Sequence, residues 1–384
     1  MAAKGYKRMR FIDRNVGVPL CFLFGHFDRL LGLIRRRRSV HPLEKILVVA
    51  PPAIGDAVLL LPSLRSIREG FPEAEIHLVA YPVNEEIFEN CSYFDQQLVF
   101  NNQEYLQEPL KVFRFLHTLR ESKYDLAIDF GQWLRTSALI TFLSRAPRRI
   151  GFRTVGQHRH WVFTETVTHK NDLHEMECFL ELVRVLGLSG EATPPRLSYD
   201  ASHVHFAKNL SGQLKKRSKL LVGVHPGGAL QGSLRLWDTD KFALVCDRLI
   251  ETYEAAVILT GDCDDRRFTH SVISKMKCPA LDVAGKTSLK QLAALIAECD
   301  VYICGNTGAM HIAAAVGTPI VALHGPSDSR KWGPVGSDHV IVRKDLSCVP
   351  CTSLGWEYRC TSGRCMEMIT PDDVFQAATQ LLQL

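Results

Sequence analysis

The first 44 residues lack both a bilayer-spanning run and an export signal. Leu20, Leu23, Phe24, Phe27, Leu30, Leu31 and Ile34 recur at helical spacing. Pro19, His26, Asp28 and Arg29 interrupt that run, which is too short to cross a membrane. Arg35–Arg38 stands where the small residues of a cleavage site belong, which excludes a signal peptide. Also missing is the glycine triplet of a nucleotide loop at the first strand-to-helix turn. That turn reads "APPAIGD" and closes on a bare carboxylate, Asp56. An acid there would repel a phosphate, so the turn calls for another role.

The body of the chain has no excess of positive charge. Residues 1–38 hold ten Lys/Arg against Asp13 and Asp28, a net +8. The whole chain is +5, so the remainder is −3 and carries no nucleic-acid signature. Two readings fit the basic arm, residues 1–44: a helix packed on the body, or an amphipathic foot on an anionic membrane face. An apolar content of 46% with 23% charged residues argues against long disorder, and 384 residues suit two domains. Twelve cysteines without an export signal predict a reducing, cytoplasmic compartment. Four of them cluster late in the chain: Cys348, Cys351, Cys360 and Cys365. The first pair has zinc-like C-x2-C spacing, the second is looser, and buried structural thiols compete with a zinc cluster as the reading.

From Lys45 onward apolar runs alternate with amphipathic segments, the pattern of parallel sheets covered by helices. Strands are expected at 46–50, 76–81, 97–100, 126–130 and 149–152, with helices at 57–69, 112–122, 136–143 and 172–186. Periodicity fades across "GLSGEATPPRLSYD", and a linker is expected over 191–210. It divides an N-terminal domain, 45–190, from a C-terminal domain, 211–384. There the pattern restarts with strands at 220–225, 256–260, 281–282, 301–304 and 319–323, and helices at 239–252, 288–298, 309–316 and 371–384. The fold class is α/β: two doubly wound, Rossmann-like domains, with ligands expected at strand carboxyl ends, facing an interdomain cleft.

Three segments of the second half carry chemistry. In "VYICGNTGAMHIAAAV" a buried strand turns through Asn306, Thr307 and Gly308 into a helix near Ala309. Unpaired N–H groups and the helix dipole make that start a diphosphate site. His311, one turn in, would donate a hydrogen bond or proton to it. The plainer readings are an N-cap at Asn306 or Thr307 and a packing histidine. In "HPGGALQGSLRLWD" a Gly227–Gly228 turn leads to Arg235, suited to neutralising a phosphate that gains charge as its bond to sugar breaks. The competing reading has Arg235 solvated and Trp237 as an anchor. In "LTGDCDDRRF" the acids Asp262, Asp264 and Asp265 follow a strand and suit ribose hydroxyls, Asp262 and Asp265 being the chosen pair, while Glu254 is a weaker candidate.

Taken together, "AIGDAVLLLPSLRSIREGFPEAEI", "HPGG…RLWD…F", "GKTSLKQLAALIAECD", "NTGAMHIAAAVGTPIVALHGPSD" and the "CVPC…C…CM…ITPDDV" ending resemble glycosyltransferase family 9, the bacterial ADP-heptose:lipopolysaccharide heptosyltransferases. The resemblance runs from Lys45 to Leu384. It implies a GT-B fold, with acceptor bound by the first domain and nucleotide sugar by the second. It implies an inverting transfer that needs neither metal nor any cofactor beyond the nucleotide-sugar donor. It makes Asp56 the general base, with Ile54 and Gly55 in the acceptor-side turn. Arg235 takes the place of a phosphate-binding Lys. Thr307, Gly308, Ala309 and His311 grip the diphosphate beside Gly227 and Gly228, and Thr287 and Leu289 lie near adenine. Asn306 departs from the Asp found in many members. The implied partner is a lipid-anchored oligosaccharide at the inner face of the inner membrane. Two other readings of the same pattern are a GT-B nucleotide-sugar epimerase and a non-catalytic nucleotide-sugar-binding protein. Apart from the resemblance, Asp56 also suits the N-cap of a helix starting at Ala57.

Overall fold

The computed structural model describes residues 11–32, 43–216, 218–228, 233–353, 357–358, 360 and 362–382. The chain forms two compact units, Met1–Thr193 and Pro194–Leu384. No helix among the described residues is long and apolar enough to cross a membrane.

The first unit opens with a helical arm, Asp13–Gly17 running into α1 (Val18–Gly32). There follow β1 (Lys45–Val49), α2 (Ile54–Gly70), β2 (Glu75–Ala80), β3 (Gln96–Val99), α3 (Asn102–Gln107), α4 (Pro109–Glu121), β4 (Leu126–Asp129), α5 (Arg135–Leu143), β5 (Arg148–Arg153), β6 (Glu165–Thr168) and α6 (Glu175–Arg184). The strands pair in parallel in the order β3-β2-β1-β4-β5-β6. Ile46–Val49 is fully buried, as a central parallel strand covered on both faces requires.

The second unit contains α7 (Ala201–Lys215), β7 (Leu221–His225), α8 (Thr239–Tyr253), β8 (Ala256–Leu259), α9 (Arg266–Ile273), β9 (Leu281–Asp282) and α10 (Leu289–Ala297). It continues with β10 (Val301–Gly305), α11 (Gly308–Val316), β11 (Ile320–Leu323), α12 (Ser329–Trp332) and β12 (His339–Val342). A short antiparallel hairpin, β13 (Thr352–Ser353) with β14 (Glu357–Tyr358), precedes α13 (Arg364–Glu367) and α14 (Pro371–Leu382). The parallel sheet runs β12-β11-β10-β7-β8-β9. Counted within the unit, both sheets have the order 3-2-1-4-5-6, that of a dinucleotide-binding domain.

Several expectations need correction. The helix after the "APPAIGD" turn starts at Ile54, not Ala57, and its N-cap is Ala53, with no side-chain cap bond. Asp56 is therefore a first-turn residue rather than the cap. The expected linker 191–210 is irregular only to Asp200. From Ala201 it is helix, closed by a capping box between Asp200 and His203. Its apolar side is thin, with Ala207 and the polar Ser211 buried, so the periodicity is hard to read. Strand β6 also escapes the apolar pattern. It lies at the sheet edge, where "ETVT" pairs on one side only.

The arm is tied to the first unit by polar bonds and close packing. Asp13 accepts from the backbone N–H groups of Arg135 (2.9 Å) and Thr136 (3.0 Å), capping α5, and pairs with the Arg135 guanidinium at 3.1 Å. A Cβ on Gly25 would stand 2.3 Å from the Trp161 carbonyl oxygen, so only glycine allows this approach. Phe24 stacks on Phe142 at 5.2 Å, and Asp28 pairs with Arg149. Residues 1–10 and 33–42, including Arg35–Arg38, lie outside the described residues.

At the end of β4, Asp129 pairs with Arg159, and both are fully buried. Arg159 also donates to the Gly131 carbonyl and to the Ser137 hydroxyl, the latter at 3.1 Å. Burial pushes the Asp129 carboxyl up, and the Arg159 charge opposes that shift. Removing one partner strands the other charge in the core. Arg159→Leu is expected to lower the urea-unfolding free energy by about 3–5 kcal/mol, and the double variant Arg159→Leu/Asp129→Leu to recover much of it.

Candidate active site

In each unit the crossover connections diverge between two central strands, β1 and β4 in the first, β7 and β10 in the second. Such switch points leave a crevice at the strand carboxyl ends. Asp56 falls at the first, and Gly228 and Thr307 fall at the second.

In the first unit the end of β1 leads through Pro51–Ala53 into α2. Ile54, Gly55 and Asp56 occupy its first turn, and Asp56 is 5% exposed. A carboxylate there is stabilised by the helix dipole. Asn84, fully buried, fixes this turn: its side chain donates to the Pro51 carbonyl (2.7 Å) and accepts from Tyr81 N–H (2.9 Å). Beside it, the loop after β4 carries Gln132, which donates to buried Glu175 at 2.5 Å. Glu175 also bonds the His169 ring at 3.0 Å.

In the second unit β10 ends at Gly305, and α11 starts at Gly308, with Thr307 in the N-cap position. The plainer reading gives Thr307 a capping bond, but its side chain makes none, and its hydroxyl is buried without a hydrogen-bond partner. Ala309 and His311 follow in the first turns of α11, both buried. Asn306 turns aside to donate to the Ser327 hydroxyl at 2.7 Å.

The Gly227–Gly228 turn lies against this start. A Cβ on Gly228 would stand 2.8 Å from Thr307 Cγ2 and 2.8 Å from His225 Nε2, and its φ of +84° favours glycine. Asp265 holds the turn, one oxygen accepting from Gly228 N–H (2.8 Å), the other from Asp262 N–H (3.1 Å). Asp262 accepts from the N–H groups of Asp264 (2.8 Å) and Asp265 (2.9 Å). Both acids expected at a ribose are thus engaged by backbone, and the buried Asp265 positions the glycine turn. Glu254 sits at the C-terminal cap of α8, before β8 begins.

Arg235 closes a 3-10 turn, Ser233–Arg235, whose backbone carbonyl faces Gly305. Trp237 is buried and donates from Nε1 to the Ile369 carbonyl at 3.0 Å, so it is an anchor. Thr287 and Leu289 flank Ser288, which caps α10 with Gln291 in a capping box.

Sequence reasoning missed two histidines at this edge. His225 ends β7, within 3.1 Å of the Thr260 hydroxyl, and burial holds its pKa below the ordinary value. His324 follows β11, is 1% exposed, and neither ring nitrogen has a hydrogen-bond partner. Burial, then the positive charges of Arg235 and Arg343, lower its pKa to about 4. The charges of Arg235 and Arg343 thus act on one buried ring, opposed by Asp328, and Arg343 also pairs with Asp345 at 3.3 Å. A histidine closing or directly following an apolar strand was the available signal.

The cysteine quartet is not a set of buried structural thiols. Cys348 is exposed, Cys351 and Cys360 are half-buried, and Cys365 is buried. Bonds from Ser362 lower the Cys360 thiol to about 7. Among the described residues, the one group of three potential metal ligands with donor atoms within 4.8 Å is His169, Glu175 and Cys178. Within it His169 bonds Glu175, which also accepts from Gln132, while the Cys178 thiol donates to the Lys170 carbonyl at 3.3 Å.

Two doubly wound domains of this strand order make up the GT-B fold. A lipooligosaccharide heptosyltransferase 2 of Campylobacter jejuni is 22% identical over 344 residues, 88% of this chain and 98% of its own length. Among solved structures, a family 9 glycosyltransferase of Veillonella parvula superposes with a TM-score of 0.77 at 19% identity, covering 91% of this chain and 99% of its own. The Escherichia coli ADP-heptose lipopolysaccharide heptosyltransferase II gives 0.71 at 23% identity, covering 88% and 98%. The sequence description of glycosyltransferase family 9 (heptosyltransferase) matches residues 112–360, and the chain belongs to that family.

The His324 ring sets a pH dependence. Unfolded, its pKa returns to about 6.5, so the unfolded chain binds the extra proton between about pH 6.5 and 4. The contribution is complete above pH 6.5 and is lost as pH falls, on the order of 3 kcal/mol in full. Urea unfolding at a series of pH values is expected to show this slope, and His324→Gln to flatten it.

Proposed function

We propose that the protein transfers heptose, or a related sugar, from a nucleotide-diphospho-sugar to a lipopolysaccharide-core acceptor, with ADP-heptose the favoured donor. The observation that carries the donor side is the start of α11. There Thr307, whose hydroxyl is buried without a partner, packs its methyl group against Gly228, and the Arg235 backbone carbonyl lies beside Gly305 at the end of β10. A diphosphate fits that helix N-terminus. Gly308 and Ala309 offer backbone N–H groups, His311 a ring hydrogen bond, and Thr287 and Leu289 a wall for adenine.

On the acceptor side Asp56 is the general base. An acceptor hydroxyl attacks the anomeric carbon from the face away from the diphosphate and forms the new C–O bond. The bond to the phosphate oxygen breaks, and nucleoside diphosphate leaves with the electron pair. Asp56 takes the hydroxyl proton, and Arg235 and the helix start stabilise the departing charge. One displacement inverts the anomeric centre. Protein cations and N–H groups supply the charge neutralisation, so no metal is needed. Support for heptose and lipopolysaccharide comes from the family and from the names of relatives such as the Campylobacter enzyme.

Asp56→Asn is expected to lower kcat at least about 100-fold while donor affinity stays within about twofold. Gly228→Val should do the reverse first, weakening ADP binding as its side chain pushes on Thr307. Isothermal titration with ADP and turnover with ADP-heptose and a truncated core acceptor separate the two. Full activity of Asp56→Asn would overturn the base assignment, and sugar release without acceptor would favour an epimerase. Turnover is expected to survive EDTA, and loss that added Mg2+ restores would refute the metal-free reading.

A further inference from the structure

The arm packs one side on the first unit and leaves another side bare. Asp13, Gly17, Cys21 and Gly25 face inward and are buried. Leu23 (59%), Phe27 (62%) and Leu30 (63%) are exposed, with half-buried Leu20 on the same line. At 100° per residue these four fall within roughly 80° of arc, a continuous apolar stripe. Val16 (50%) and Phe11 (68%) extend the exposed apolar surface toward the start of the chain. Such a stripe on a rigidly anchored helix is a surface waiting for cover.

Charge identifies what covers it. Burial, then the like charges of Arg153, His158 and Arg29, hold His160 below its ordinary pKa, which places these basic groups around one point beside α1. Arg14, Arg135 and His158 line a depression of about 320 Å3 at the same helix. The first 38 residues carry +8 in sequence, Arg35–Arg38 among them. A second copy of the chain would bring the same positive charges face to face across a twofold axis. An anionic lipid surface offers both an apolar interior for the stripe and headgroups for the cations.

We propose that α1 docks the protein on an anionic lipid surface, with Leu20, Leu23, Phe27 and Leu30 entering the interface and Arg14, Arg29 and Arg153 meeting headgroup phosphates. The helix lies along the surface, being too short and too charged to span it. This inference does not rest on the sugar chemistry.

Co-sedimentation of the full chain with vesicles tests it. Binding is expected to phosphatidylcholine–phosphatidylglycerol vesicles, weakly to phosphatidylcholine alone, and to fall as salt rises from about 0.05 to about 0.5 M. Leu23→Glu/Phe27→Glu should weaken binding roughly tenfold or more, with the urea midpoint and turnover of a soluble acceptor unchanged. Parent protein that ignores anionic vesicles, or a double variant that binds as the parent does, overturns the proposal. So does a parent that is dimeric in solution and that the double variant makes monomeric, since the stripe is then a self-contact. Loss of turnover with intact vesicle binding would instead strike the sugar-transfer reading alone.

Discussion

The candidate chemistry depends on one constraint of parallel sheets: where the winding direction reverses, two neighbouring strands send their chains apart. Here that happens between β1 and β4 and again between β7 and β10. The backbone at those four carboxyl ends cannot be covered by its own crossover helix, so polar groups there stay available to a ligand. Asp56 follows β1, Gly228 follows β7, and Thr307 follows β10. Each unit places different chemistry at an equivalent position. The first ends on a carboxylate, the second on a bare helix start.

Holding these turns still falls to buried polar groups. Asn84 clamps Pro51, Asp265 clamps Gly228, and the Asp129–Arg159 pair braces the loop after β4. A buried carboxylate or amide bonded to backbone N–H and C=O groups fixes a loop in one geometry, because any other arrangement leaves a polar group unsatisfied. The arm extends the same logic. Asp13 caps α5 from 122 positions away in sequence, so a segment outside the family match becomes part of the first unit's fold. Its inner side is spoken for, which is why the bare stripe on α1 is a feature of the surface rather than of a loose tail.

Much was legible in advance, because parallel strands buried on both faces are continuous apolar runs and their turns carry glycine and proline. The strand ends, Gly227–Gly228 and the Thr307–Gly308 helix start were all readable on that basis. Elements with thin or polar patterns were not. Strand β6 pairs on one side only, and α7 buries Ser211 where an apolar residue would have revealed it. The cap of α2 was misplaced because Asp56 looks like a cap, while Ala53, which holds the position, has no side chain to announce it.

By itself the sequence determined the alternation of strands and helices, the family, the unusual basic arm and the acid at residue 56. These are local properties, written in periodicity, charge and short spacing. Only the tertiary structure decided that Asp265 turns inward to hold Gly228, that the charges of Arg235 and Arg343 act on the buried His324 ring, and that α1 buries one side and bares another. The physical reason is common to all three. Which partner a polar or apolar side chain meets depends on residues tens of positions away, and burial, which sets the energy of that meeting, exists only once the sheets have assembled.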